Sequence, residues 1–71
     1  MRLTFEEAQY YINKANELTR QIKGYRFGQA LFNVIPATVG AVVLGTEHDF
    51  FYLRDTERAK VLALFYTHCV E

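Results

Sequence analysis

His48, Asp49, His68 and Cys69 all have side chains competent to ligate a metal, and Cys69 could also act as a nucleophile. They fall in two adjacent pairs, whose members project in different directions, and no HxxxH or CxxC spacing accompanies them. A metal centre would need the segment around His48 to meet the C-terminal stretch by tertiary folding alone, so the expectation is no metal, a surface histidine in each pair and a half-buried cysteine. Cys69 as a nucleophile would need a base beside it. His68 precedes it directly, and neighbours on a helix point about 100° apart, which places the imidazole poorly for that task. The chain carries no Gly-rich phosphate loop and no nucleophile elbow, and so small a domain leaves little room for a substrate pocket. The reading is therefore a protein that is not an enzyme and takes no cofactor.

Polar and aromatic side chains offer more. Arg26, Gln29 and Asn33 follow one another at steps of three and four, a polar stripe along one helix in a region otherwise apolar. Two readings stand side by side. Arg26 pairs with Asp49 while Gln29 and Asn33 satisfy backbone groups of the segment 46–52, or the stripe is a contact surface for a ligand or partner. Six phenylalanines and five tyrosines make 15% of the chain, more than one small core can bury. Tyr10 lies off the apolar stripe of the first helix, and Phe50, Phe51 and Tyr52 stand together in a loop. Aromatics of this kind are enriched at protein interfaces, which makes Tyr10, Phe50 and Tyr52 candidate contact residues beside Arg26, Gln29, Asn33 and Asp49. Ordinary exposed aromatics are the competing explanation.

The elements that must position these residues are helical. In "LTFEEAQYYINKANELTRQIKG", Thr4 and Glu7 form a capping box, and Phe5, Ala8, Ile12, Ala15, Leu18 and Ile22 line one face of a helix that Gly24 ends. Lys14 and Glu17 are spaced to pair, and Arg20 and Lys23 suit the negative end of the helix dipole. A second helix runs from Tyr25 to about Ile35. "PATVGAVVLG" reads as a third, short helix from Pro36 to Gly45, with a strand as the alternative because Val39, Val42 and Val43 are β-branched. "TEHDFFYLRD" supplies the longest loop. Asp55 or Thr56 caps a final helix with Ala59, Leu62, Phe65, Tyr66 and Cys69 on one side, widened by Val61 and Leu64. The fold class is all-α: residues 1–71 form a single small domain of three to four helices, with no linker or internal repeat.

Charge and composition exclude more than they assign. Eight basic and eight acidic residues cancel, which removes the usual electrostatic case for a nucleic-acid or acidic-membrane partner. Arg54, Arg58 and Lys60 form a short basic cluster, interrupted by Asp55 and Glu57. A nucleic-acid-binding regulator is thus the alternative function rather than the leading one. Phe27 to Thr46 carries no charge and matches the roughly 20 residues of a membrane span. Gln29, Asn33, Pro36, Thr38 and the glycines inside it, with no basic flank, argue for two short buried helices meeting at Pro36 instead. One cysteine and no export signal make a reducing cytoplasm the expected compartment.

The stretches "RFGQALFNVIP" and "GTEHDFFY" resemble a pattern found in small uncharacterised proteins of bacteriophages and prophages, R-x-G-Q-A-L-F-N-x-x-P followed by G-T-x-x-D-P-F-Y. Arg26, Gly28, Gln29, Asn33, Gly45, Thr46, Asp49, Phe51 and Tyr52 match it in place, over roughly the middle half of the chain. Phe50 departs, standing where the pattern has proline. The resemblance implies an intracellular accessory protein of a mobile element, active in the host cytoplasm, and brings with it no established catalytic activity. Together with the aromatic surplus it sets the expected function: a homodimer that binds and modulates or inhibits a host or phage protein.

Overall fold

The computed structural model describes residues 2–71. Helix α1 spans Phe5–Gln21, α2 Phe27–Val34, α3 Ala37–Gly40 and α4 Arg58–Cys69, with a 3-10 turn at Asp55–Glu57 before α4. The protein is all-α: the described residues contain no strand, only an isolated parallel bridge between Leu3 and Val70. Among the described residues no helix is long and apolar enough to cross a membrane.

Helix α1 begins as its sequence dictates. The Thr4 hydroxyl accepts the Glu7 amide at 3.2 Å and the Glu7 carboxylate accepts the Thr4 amide at 2.9 Å, so two donors of the first turn are satisfied reciprocally. Its inner face is Ala8 and Ala15, fully buried, with Ile12 and Leu18 half-covered beside them. The ends of the expected stripe, Phe5 and Ile22, reach past the core and are exposed. Lys14 does not pair with Glu17; its ammonium lies 5.5 Å from the Tyr10 ring centre.

Between Pro36 and Gly45 the helical reading holds over the strand. α3 is one turn long, and the carbonyl of Gly40 then accepts from Val43 and Leu44 in further tight turns, until Gly45 at φ +74° closes the run. This coiling puts Val39 and Val43, four residues apart, inside, and leaves Val42 and Leu44 outside. In α4 the buried face is Val61, Phe65 and Cys69, again four apart. Phe65 and Cys69 of the expected face are buried and Val61, expected to widen it, is buried with them; the correction is Ala59, which is exposed, while Leu62 and Tyr66 are half-covered.

The core is organised around a loop residue. Phe50 is 0% exposed, with its ring 5.7 Å from Phe32 and 6.1 Å from Phe65, both edge-on. Gly28 makes room for it: a Cβ there would run into the Phe50 carbonyl oxygen, and Val61 closes the same spot at 3.4 Å. Phe50 is thus inserted among the helices, while Thr46, Glu47, Tyr52 and Arg54 on either side of it are exposed.

Candidate functional site

The residues singled out from sequence lie in three places. At the corner between α1 and α2, Gln29 lines a shallow cavity of about 300 Å³ with Ile22, Lys23, Gly24 and Tyr25. Asn33, exposed one turn further along α2, donates its side-chain amide to the Tyr25 hydroxyl at 2.8 Å, which fixes one wall of that cavity. Arg26 is half-buried at the N-cap of α2, and its Nε is buried without a hydrogen-bond partner. Two expectations are corrected here. Arg26 forms no ion pair with Asp49, and Gln29 and Asn33 do not serve the 46–52 backbone.

Asp49 is instead consumed by its own loop. One carboxylate oxygen accepts the Gly45 amide at 3.0 Å and the other the Phe51 amide at 2.9 Å. The short side chain thereby does what a turn of backbone would do, and no cation is needed to hold it. Phe50 is corrected from contact residue to core. Its neighbour Tyr52 is 77% exposed, and Leu44, next to the other clamped amide, is 61% exposed. A single carboxylate therefore gathers the backbone that presents both. Tyr10 lies apart on α1, 55% exposed and edge-on to Tyr11.

The start of α2 has a cap that sequence reasoning missed. Asp55, expected to begin α4, accepts the Phe27 amide at 2.9 Å across 28 residues, bringing a carboxylate to the positive end of α2. Nothing local to either segment signals such a bond. Arg58, read as part of a basic cluster, is likewise committed inside the protein: its guanidinium sits 3.7 Å from the Phe27 ring centre and bonds the Asn16 side chain. That leaves Arg54 and Lys60 as exposed cations there. The signal that could have found a charged surface lies elsewhere. Arg20, Lys23 and Arg26 are the only charged residues between Glu17 and Glu47, and no carboxylate among the described residues is within ion-pairing reach of them.

The two histidine pairs do meet. His48 and His68 stack with ring centres 3.9 Å apart and planes inclined by 22°, and His48 Nε2 lies 3.5 Å from a Glu47 oxygen. Ligands to one ion must aim their nitrogens along their own ring planes, and nearly parallel stacked planes do not converge on a shared point. No group of three or more His, Cys, Asp or Glu side chains among the described residues is placed to hold a metal. Cys69 is fully buried with its sulfur 3.9 Å from the Val39 carbonyl oxygen. Burial pushes its thiol above the ordinary range, an effect the Arg2 charge offsets in part, and a reactive nucleophile needs the opposite. Compared with protein-family models, curated proteins and solved structures, the chain matches none of them.

Proposed function

We propose that this is a small accessory protein of a phage or prophage that acts in the host cytoplasm by protein–protein binding, as a homodimer that engages and modulates a host or phage protein. The observation that carries the reading is the exposed apolar surface of the 36–52 segment, where Val42, Leu44 and Tyr52 stand out on a backbone held by Asp49. A two-fold interface sets the same patch against itself, so charge near the axis would repel its own copy. No charged residue occurs between Phe27 and Thr46, so Val42 and Leu44 stand on an uncharged run; the exposed Glu47 borders them, its carboxylate 3.5 Å from His48 Nε2, and a net charge of zero adds no long-range repulsion. Large exposed aromatics at Phe5 and Tyr10 leave further area for a second protein.

Multi-angle light scattering at micromolar concentration tests the first half: the expected mass is that of two chains. Leu44→Asp with Tyr52→Asp should return a folded monomer, since both side chains are exposed in the single chain, and its melting temperature should no longer depend on protein concentration. A wild-type protein that runs as one chain up to millimolar concentration would end the homodimer reading. For the second half, host proteins retained by the wild type should be lost from the double variant or from Tyr10→Asp.

A further inference from the structure

We infer that the cavity at the α1–α2 corner is a docking pocket for an acidic segment of a partner protein, taking an Asp or Glu carboxylate together with the apolar side chain next to it. The inference adds to the binding-protein reading but uses a face other than the Leu44–Tyr52 surface.

Three observations converge on it. The first is charge: from Leu18 to Thr46 the chain carries Arg20, Lys23 and Arg26 and no acid, so a protein of zero net charge concentrates three positive charges in seven residues. None of the three is neutralised by an ion pair among the described residues, although Asp55 lies close by on the Phe27 amide. Unpaired surface cations cost little and are common. What distinguishes Lys23 is the second observation, a concavity that it lines. Ile22, Lys23, Gly24, Tyr25 and Gln29 line an open hollow of about 300 Å³, at the low end of the roughly 300–1,000 Å³ of small-molecule sites, which suits one or two side chains better than a cofactor.

The third is the division of chemistry around that wall. Ile22 presents an exposed aliphatic surface, and the Tyr25 ring is held by the Asn33 amide on its hydroxyl. The Lys23 ammonium and the Gln29 side-chain amide have no hydrogen-bonding partner among the described residues, so both have donors to offer. A carboxylate between Lys23 and Gln29 would form charge-assisted hydrogen bonds, and the adjoining apolar group would cover Ile22. A nucleic-acid backbone fits less well. It needs a stripe of cations, whereas Glu17 stands less than a turn before Arg20 and the pocket has an apolar wall.

The test uses the full chain, labelled with ¹⁵N, and four probes: a capped peptide of alternating Glu and Leu, the same peptide with Gln for Glu, inorganic phosphate, and a random duplex DNA. The Glu-Leu peptide is expected to shift the amides of residues 22–29 saturably, and Lys23→Glu should weaken it about tenfold or more, the equivalent of one charge-assisted hydrogen bond. Gln29→Ala should weaken it in the same direction, and Lys60→Glu, on exposed α4 surface, should leave it unchanged. The spectrum of each variant reports whether it is folded. No shift at residues 22–29, an equal response to the Gln-Leu peptide, or indifference to Lys23→Glu overturns the inference. So does phosphate saturating the same amides at the same concentration, or DNA binding more tightly than the peptide. Light scattering on the same samples separates the two readings: peptide binding by a monomer removes the homodimer alone, and a dimer deaf to the peptide removes the acidic-segment pocket alone.

Discussion

At the scale of single residues, the difference between Asp49 and Arg26 is instructive because one reading of the polar stripe made them partners. The Asp49 carboxylate holds two loop amides, so Asp49→Ala leaves both without their acceptor and should lower stability by about 1–3 kcal/mol. Arg26→Ala strands nothing, and it removes an Nε that is buried without a partner. Its melting temperature should stay close to wild type, within about 0.5 kcal/mol of stability. Thermal melts of the two variants side by side check this, and a loss for Arg26→Ala as large as that for Asp49→Ala would show that the guanidinium supports the loop after all. The legible part of this site was its composition: Asp, Gly, Thr and aromatics in one short stretch announced a turn. The pairing was not legible, because a carboxylate can be satisfied by amides two to four residues away as well as by a distant cation, and spacing does not distinguish the two.

At the scale of elements, the start of α1 was legible from its local signal, while the contacts that join distant segments were silent. Thr4 and Glu7 fixed the start of α1 because the bonds they make close within three residues. Asp55 misled for the converse reason. It has the right type and place to cap α4, yet its carboxylate goes to α2, and α4 starts at Arg58 with no side-chain cap. The exposed position assumed for Phe50 failed similarly, since a run of aromatics in a loop carries no period that tells inside from outside. Gly28 was the available clue: a glycine within a helix costs stability unless something must come close. Gly28→Ala should therefore lower stability by about 1–3 kcal/mol, through displacement of the Phe50 backbone from between α2 and α4, against the gain an exposed Gly→Ala exchange gives in a helix. Urea unfolding measures it, and a more stable Gly28→Ala protein would mean that the Phe50 carbonyl moves aside freely.

At the scale of the whole molecule, the radius of gyration of 10.9 Å is close to the roughly 11 Å expected for a compact chain of this length. The interior is apolar, so its one ionisable thiol links global stability to alkaline pH. Burial raises the Cys69 pKa in the folded state above that of the unfolded chain, so the folded form favours the protonated thiol. The contribution is whole below the ordinary thiol range and is lost as pH rises through that range to the raised folded value. Unfolding free energies should fall across this window more steeply for the wild type than for Cys69→Ala; parallel curves would mean that the thiol ionises alike in both states. The meeting of the chain ends has a mechanical consequence. Leu3 donates to the Cys69 carbonyl and accepts from the Glu71 amide, both at 2.8 Å, and the two segments run parallel. A pull applied through the two ends therefore drags these segments past each other, loading both hydrogen bonds together in shear instead of peeling them one at a time. The buried Leu3 and Val70 must slide out with them. In a single-molecule stretching experiment, the first resistance should come from this clasp at the ends, before any helix is drawn out.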